Sequence, residues 1–219
     1  MMPRRKVFVF DLDDTLYKEV EFLKSAFREI ATFLESNYGL SAVYDRLLQY
    51  WQNGENAFEN VINEGRLPLQ VEDLLKMYWA HRPHITLDEN TRQVLDQLHQ
   101  AGVLGIITDG RSLTQRNKIE ALGLDAYIEH QNLFISEETG YSKPSSEPFC
   151  SFMKMYPDSE YFYIGDNPTK DFVAPNQLGW TTICLLDDGR NIHTQEIRLD
   201  HDDQAKYDIK TILDIIKLL

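Results

Sequence analysis

The chain of 219 residues carries 42% hydrophobic and 26% charged side chains, the balance of a globular protein, with neither a low-complexity stretch nor an internal repeat. Its 35 acidic against 22 basic residues leave a net charge of -13, which repels a polyanion over the surface as a whole and argues against nucleic acid as a partner. The same balance leaves room for a small phosphorylated substrate in a pocket where a divalent cation and a local basic residue reverse the field.

The basic start, Met1 to Lys6, leads into an apolar run of only Val7 to Phe10, far too short for a secretory signal or a membrane span. That run is rich in β-formers and reads as a strand buried on both faces. Residues 17 to 83 then carry helical periodicity four times and no strand, in Leu23/Phe27/Ile30/Leu34, Tyr44/Leu47/Tyr50/Trp51, Phe58/Val61/Ile62 and Val71/Leu74/Leu75/Tyr78. Asn37 to Gly39, Asn53-Gly54, Gly65 to Pro68 and His81 to Pro83 supply the breaks. The expectation is a small all-helical cap over residues 17–83, inserted into an α/β core formed by residues 1–16 and 84–219.

From about residue 85 strand and helix alternate. Thr86-x-x-Glu89 reads as a capping box ahead of Val94, Leu95 and Leu98, and Val103 to Thr108 is the next strand. Ser112-x-x-Gln115 reads as a second box ahead of Ile119 and Leu122, with Gly123 as the stop. A helix bearing Phe149, Phe152, Met153 and Tyr156 precedes the strand Tyr161 to Ile164; a helix bearing Phe172 and Val173, closed by Gly179, precedes the strand Thr181 to Leu186. Asp187 to Gln204 is polar and without a pattern, and Lys206 to Leu219 reads as a short strand and a closing helix. The alternation implies parallel strands joined by right-handed crossovers, hence a doubly wound, Rossmann-like sheet. Cys150 and Cys184 lack a Cys-x-x-Cys spacing, so two reduced thiols in a cytoplasmic protein are expected rather than a disulfide framework or a zinc site.

Ligands of open parallel sheets bind beyond the carboxyl ends of the strands, and those ends are polar here. The first apolar run ends in Asp11-Leu12-Asp13-Asp14-Thr15, the second in Thr108-Asp109-Gly110 and the third in Gly165-Asp166-Asn167-Pro168-Thr169-Lys170-Asp171, while Ser142-Lys143-Pro144 lies in a loop. In extended chain Asp11 and Asp13 project to the same side and Leu12 turns into the core. Two close carboxylates repel, and a divalent cation or a proton offsets that cost. Asp166 adds a third carboxylate, a donor set that suits Mg2+. The chemistry implied is attack by Asp11 on phosphorus, with Asp13 protonating the leaving oxygen and later taking a proton from water, for which a raised pKa is expected. Thr108 and Lys143 would donate to the non-bridging oxygens, Asp171 would orient Lys143 or the metal ligands, Asn167 would hold a metal-bound water, and Asp14 and Asp109 would form turns or support the residues that touch substrate.

These residues resemble the haloacid dehalogenase superfamily, whose four motifs match Asp11-Leu-Asp13-Asp-Thr15, Thr108-Asp-Gly110, Lys143 and Gly165-Asp166-x-x-x-x-Asp171, with the helical insertion where the subclass with helical caps places it. The resemblance implies Mg2+ held by Asp11, the backbone carbonyl of Asp13, and Asp166, and phosphate contacts from Thr108, Asp109 and Lys143. It points to a phosphatase for sugar phosphates, nucleotides or phospho-acids, since family members that cleave carbon–halogen bonds lack an acid at the position of Asp13. A phosphonatase would need a cap lysine, for which Lys18 and Lys24 are the available residues. The stretch Thr108-Asp-Gly-Arg111-Ser-x-x-Gln115-x-x-Lys118 is similar to the subgroup of nucleotidases and the acylneuraminate-phosphate phosphatase, with Asp109 in place of its usual Asn. A phospho-signalling receiver domain and a non-catalytic binding module are the rival classes; the first lacks a cap of this size and the second has no need of the complete set. Arg28, Arg46, Arg66, Arg82 and Arg111 are the charges expected to recognise substrate. Monomer and homodimer both remain open.

Overall fold

The computed structural model describes residues 4–195 and 204–218. Six parallel strands form one sheet in the order β3-β2-β1-β4-β5-β6: β1 Lys6–Phe10, β2 Gly102–Thr108, β3 Leu133–Ile135, β4 Glu160–Gly165, β5 Thr181–Leu185 and β6 Tyr207–Ile209. Because β1 pairs with both β2 and β4, the chain winds outward in one direction to β3 and then in the other from β4. The reversal opens a crevice beyond the carboxyl ends of β1 and β4, the usual place for a ligand in such a sheet.

The period of two along each strand sorts side chains to opposite faces. Phe8, Phe10, Leu104, Ile106 and Ile164 enter one apolar cluster, packed by helices α5 (Glu89–Ala101) and α6 (Ser112–Leu122). Val7, Val9, Ile107 and Tyr163 enter the other, packed by α8 (Glu147–Met155) through Phe149 and Phe152 and by the segment at α9 (Val173–Gln177) through Phe172 and Ala174. Short elements complete the layers: α7 (Ser136–Thr139) after β3 and α10 (Ile215–Leu218) after β6.

Between β1 and α5 the four expected stripes form α1 (Glu19–Tyr38), α2 (Val43–Gln52), α3 (Ala57–Gly65) and α4 (Val71–Ala80). They bury Leu23, Phe27, Ile30, Leu34, Leu47, Val61 and Leu74 in a third cluster of their own. The chain leaves this unit through a polar clamp: Ser25 on α1 hydrogen-bonds His81 at 2.7 Å, and the other His81 ring nitrogen meets Glu29.

Two local expectations are corrected. The cap of α5 is Asp88, whose carboxylate accepts the Thr91 N–H at 2.7 Å, so Thr86 and Glu89 form no box. An aspartate one position from the helix satisfies the free amide directly. At α6 the capping position is Arg111; the Ser112 hydroxyl instead donates to Glu138 and Gln115 turns inward. The short β3 and α7 were absent from the sequence reading, because three apolar residues, Leu133 to Ile135, are too few to show a period. Of the closing segment, Leu219 lies outside the described residues, as do residues 196–203 of the polar stretch.

Candidate active site

Asp11 follows the last residue of β1, and its N–H continues the ladder by donating to the Ile164 carbonyl of β4 at 2.8 Å. The ladder therefore holds Asp11 at the switch point, and Leu12, fully buried, turns into the apolar cluster on the other side. Thr108 ends β2, and Asp166 follows Gly165 at the end of β4. Asp11, Asp13, Thr108, Asp109, Asp166 and Asn167 line one cavity of about 130 Å³, together with Asp14, Glu19, Lys170 and His193. A larger cavity of about 400 Å³ is lined by Tyr17, Lys18, His84 and Ile85 among others, and Asp14 borders both.

Lys143 does not line the small cavity; it lies under it, with its ammonium fully buried between Asp11 and Asp171, 2.7 Å from the latter. It also donates to the Tyr163 hydroxyl at 3.2 Å. Asp109 binds the loop that carries it, accepting the Lys143 backbone N–H at 3.1 Å. Asp171 accepts the Asn167 N–H at 2.8 Å as well, and its carboxylate sits so close to Gly165 that a Cβ there would lie 2.6 Å from Oδ2. Only glycine admits that approach. Asn167 spends its side-chain oxygen on the Thr169 N–H and hydroxyl, at 3.0 and 2.7 Å, so that oxygen closes a turn. Asp14, at φ 57°, accepts the N–H groups of Glu19 and Ile192 and is a turn residue.

Burial raises the Asp11 carboxyl from an ordinary 3.8 to about 7; Lys143 opposes the rise and Asp171 adds to it. Asp166 is pushed up to about 8 by burial first and by Asp11 and Asp171 next. Desolvation works against the Lys143 charge, yet Asp11 and Asp171 outweigh it and hold the ammonium protonated well above its usual range. Asp13 departs from expectation. Burial pulls it upward, but the charge and hydrogen bond of Lys118, 2.7 Å from Oδ1, with further bonds from Tyr17 and Gln115, keep its carboxyl below the usual range. The raised value expected from its acid–base role is therefore not met in the structure, because a cation reaches Asp13 from α6.

Carboxylate oxygens of Asp11, Asp166 and Asp171 lie within 4.8 Å of one another, all three residues buried. That is a hard-oxygen set of the kind a small divalent cation takes, and a cation there would offset both the burial that chiefly raises Asp11 and Asp166 and the smaller push from their neighbouring carboxylates.

The family model for haloacid dehalogenase-like hydrolases matches residues 5–179. The chain belongs to that family. Glyceraldehyde 3-phosphate phosphatase of Methanocaldococcus jannaschii is 23% identical over 98% of this chain and 96% of its own length. N-acylneuraminate-9-phosphatase of Rattus norvegicus is 20% identical over 100% and 95%. The HAD-hydrolase YfnB of Bacillus subtilis, solved bound to magnesium, shares the fold at a TM-score of 0.65, with 21% identity and 99% of each chain covered.

Within this hydrolase fold several lining residues went unread in the sequence. Glu19, pushed up to about 7 by burial and by Asp13, opens α1, and Lys170 approaches Asp109 to 3.6 Å. The patternless segment after β5 folds back over the rim: Asn191 donates to Asp166 at 3.0 Å and accepts from Lys18 at 2.6 Å, Gln195 donates to the Asp166 carbonyl at 2.6 Å, and His193 reaches the cavity. Its polarity carried no periodic signal. None of the five arginines expected to read substrate lines the cavity; Arg28 lies over the Tyr44 ring, Arg46 pairs with Glu64, and Arg111 lies 3.7 Å from the Trp79 ring centre. Lys18 and Lys24 are likewise absent from its lining, Lys18 being paired with Asp188 and Lys24 with Glu21.

Proposed function

We propose that the chain is a Mg2+-dependent phosphatase that hydrolyses a small phosphorylated metabolite through a phosphorylated Asp11. The observation that carries this reading is a buried carboxylate at the switch point, Asp11, bound to the Lys143 ammonium and sharing one cavity with the carboxylates of Asp13 and Asp166. Family membership and the phosphatase names of its relatives support it.

Asp11, Asp166 and the Asp13 backbone carbonyl are the proposed ligands of Mg2+, with Asp171 left to orient Lys143 because its oxygens are already bonded to Lys143 and the Asn167 N–H. Bound there, the ion supplies positive charge to the phosphate oxygens. Asp11 attacks phosphorus, the bond from phosphorus to the leaving oxygen breaks, and Asp13 gives that oxygen a proton. Asp13 then takes a proton from water as the water oxygen attacks phosphorus, and the bond to Asp11 breaks to release inorganic phosphate. Thr108 donates to a non-bridging oxygen, with Asp109 closing the phosphate pocket, and Lys143, its three protons taken by Asp11, Asp171 and the Tyr163 hydroxyl, supplies positive charge from behind Asp11. Held by Lys118, Asp13 is in the carboxylate form that the second step uses, and it must take up a proton before it can give one in the first.

Residues 17–83 serve in this reading as a cap over a catalytic core of residues 1–16 and 84–219. Sugar phosphates, nucleotides and phospho-acids are the substrate classes, and the names of several relatives make a short aldose phosphate the first to try. A cytoplasmic location is part of this reading, supported by two cysteines that stand as free thiols; no helix among the described residues is long and apolar enough to cross a membrane.

The test is hydrolysis of an aryl phosphate with Mg2+ by Asp11→Asn. Activity is expected to fall by about four orders of magnitude or more, with the circular dichroism spectrum unchanged. Full activity in that variant removes Asp11 as the nucleophile.

A further inference from the structure

Gln115 lies one helical turn into α6, is 1% exposed, and belongs to none of the four motifs. Its amide nitrogen donates in two directions, to Asp13 Oδ2 at 2.9 Å and to Thr108 Oγ1 at 2.6 Å, with the Asp109 carbonyl further off at 3.3 Å. An amide nitrogen has two protons, so the two short bonds use both. The fold makes room for this side chain: Gly110, at φ 146°, would with a Cβ stand 3.1 Å from the Gln115 side-chain carbon. The helix that carries it is fastened on its neighbouring positions, since Thr114 donates to the Trp79 carbonyl at 2.8 Å and Asn117 to the carbonyls of Ala80 and His81 at 3.1 and 2.9 Å.

Two consequences follow from chemistry alone. A threonine hydroxyl that accepts from Gln115 keeps its own proton to give, and that proton is free for a phosphate oxygen. A carboxylate with Oδ2 held by Gln115 and Oδ1 held by Lys118 cannot rotate about its Cβ–Cγ bond without losing both contacts. We propose that Gln115 is a positioning residue for the hydrolysis, orienting Asp13 toward the leaving oxygen and Thr108 toward the phosphate. This assignment rests on the phosphatase reading above.

The experiment compares single-turnover alcohol release from an aryl and an alkyl phosphate, with enzyme in excess and Mg2+ present, for wild type and Gln115→Leu. A nitrophenolate leaves without a proton and an alkoxide does not, so poor placement of Asp13 weighs on the alkyl ester. General acid catalysis is worth about a hundredfold to ten-thousandfold. Losing the orientation is expected to lower the alkyl rate about tenfold or more beyond any loss on the aryl ester, with Gln115→Glu, which offers no amide proton, behaving likewise. Equal losses on both esters, or none on either, overturn the assignment. Should Gln115→Leu fail to fold by circular dichroism, Gln115→Met carries the same comparison. If Asp11→Asn keeps wild-type turnover, or wild type cleaves neither ester, the phosphatase reading fails first and this assignment with it; a wild type that cleaves both with Asp11 essential isolates the question to Gln115.

Discussion

The rim of the sheet and the helical unit bury different things. At the rim Asp11, Lys143, Asp166 and Asp171 are each no more than 6% exposed, and charge faces charge with little water between. From Glu19 to Ala80 the buried side chains are apolar except for Ser25. Buried ions are costly unless each finds a partner, whereas apolar stripes gain stability from area alone. The rim is therefore held by compensation and the helical unit by packing, and removal of one group does different damage in each.

Lys143→Met tests the compensation. It leaves Asp11 and Asp171 facing each other without their cation, and a broken buried pair costs about 3–5 kcal/mol. Urea unfolding is expected to show that loss together with abolished aryl phosphate turnover; unchanged stability would mean that the rim charges are not mutually supported. Leu34→Ala tests the packing. Leu34 is fully buried in the helical cluster, and truncation there costs about 2–5 kcal/mol by the same measurement, while turnover per folded molecule of the small aryl ester is retained. A loss of activity in Leu34→Ala equal to that of Lys143→Met would erase the distinction between the two regions.

The smallest effect concerns pH and metal. Asp11 and Asp166 are raised to about 7 and about 8, so the metal-free folded state holds protons that the unfolded chain gives up near its ordinary 3.8. For raised carboxyls the associated stability is full below about pH 4 and is lost as pH climbs through those two values. Mg2+ binds the ionised forms and offsets that loss, so the rise in Tm on adding Mg2+ is expected to be larger at about pH 8.5 than at about pH 6. An equal rise at both pH values would place the ion away from these carboxylates.

Much of the rim was legible along the chain. Three of the four motifs follow an apolar run, and a strand end with alternating side chains places Asp11 and Asp13 on one side and Leu12 on the other before any fold is known. Asp171 was expected to orient either Lys143 or the metal ligands, and in the fold it lies 2.7 Å from the Lys143 ammonium. Gln115 shows where that reading stops. Its spacing from Ser112 satisfied a helix-capping pattern, yet its amide serves Asp13, which lies 102 positions away. The value of Asp13 was misjudged along with it, because Lys118 reaches that carboxylate only once α6 has packed beside β1. The segment from Asp187 to Gln195 had no period to read, and its contacts with Asp166 and Lys18 come from distant parts of the chain.

Local sequence determined every strand except β3, the four helical stripes and the order of the acidic strand ends, because backbone periodicity and turn chemistry act over a few neighbouring residues. The tertiary structure decided which cation answers which carboxylate, and how far each carboxyl departs from its ordinary proton affinity. Those quantities depend on distance and burial between segments that only the strand order β3-β2-β1-β4-β5-β6 brings together.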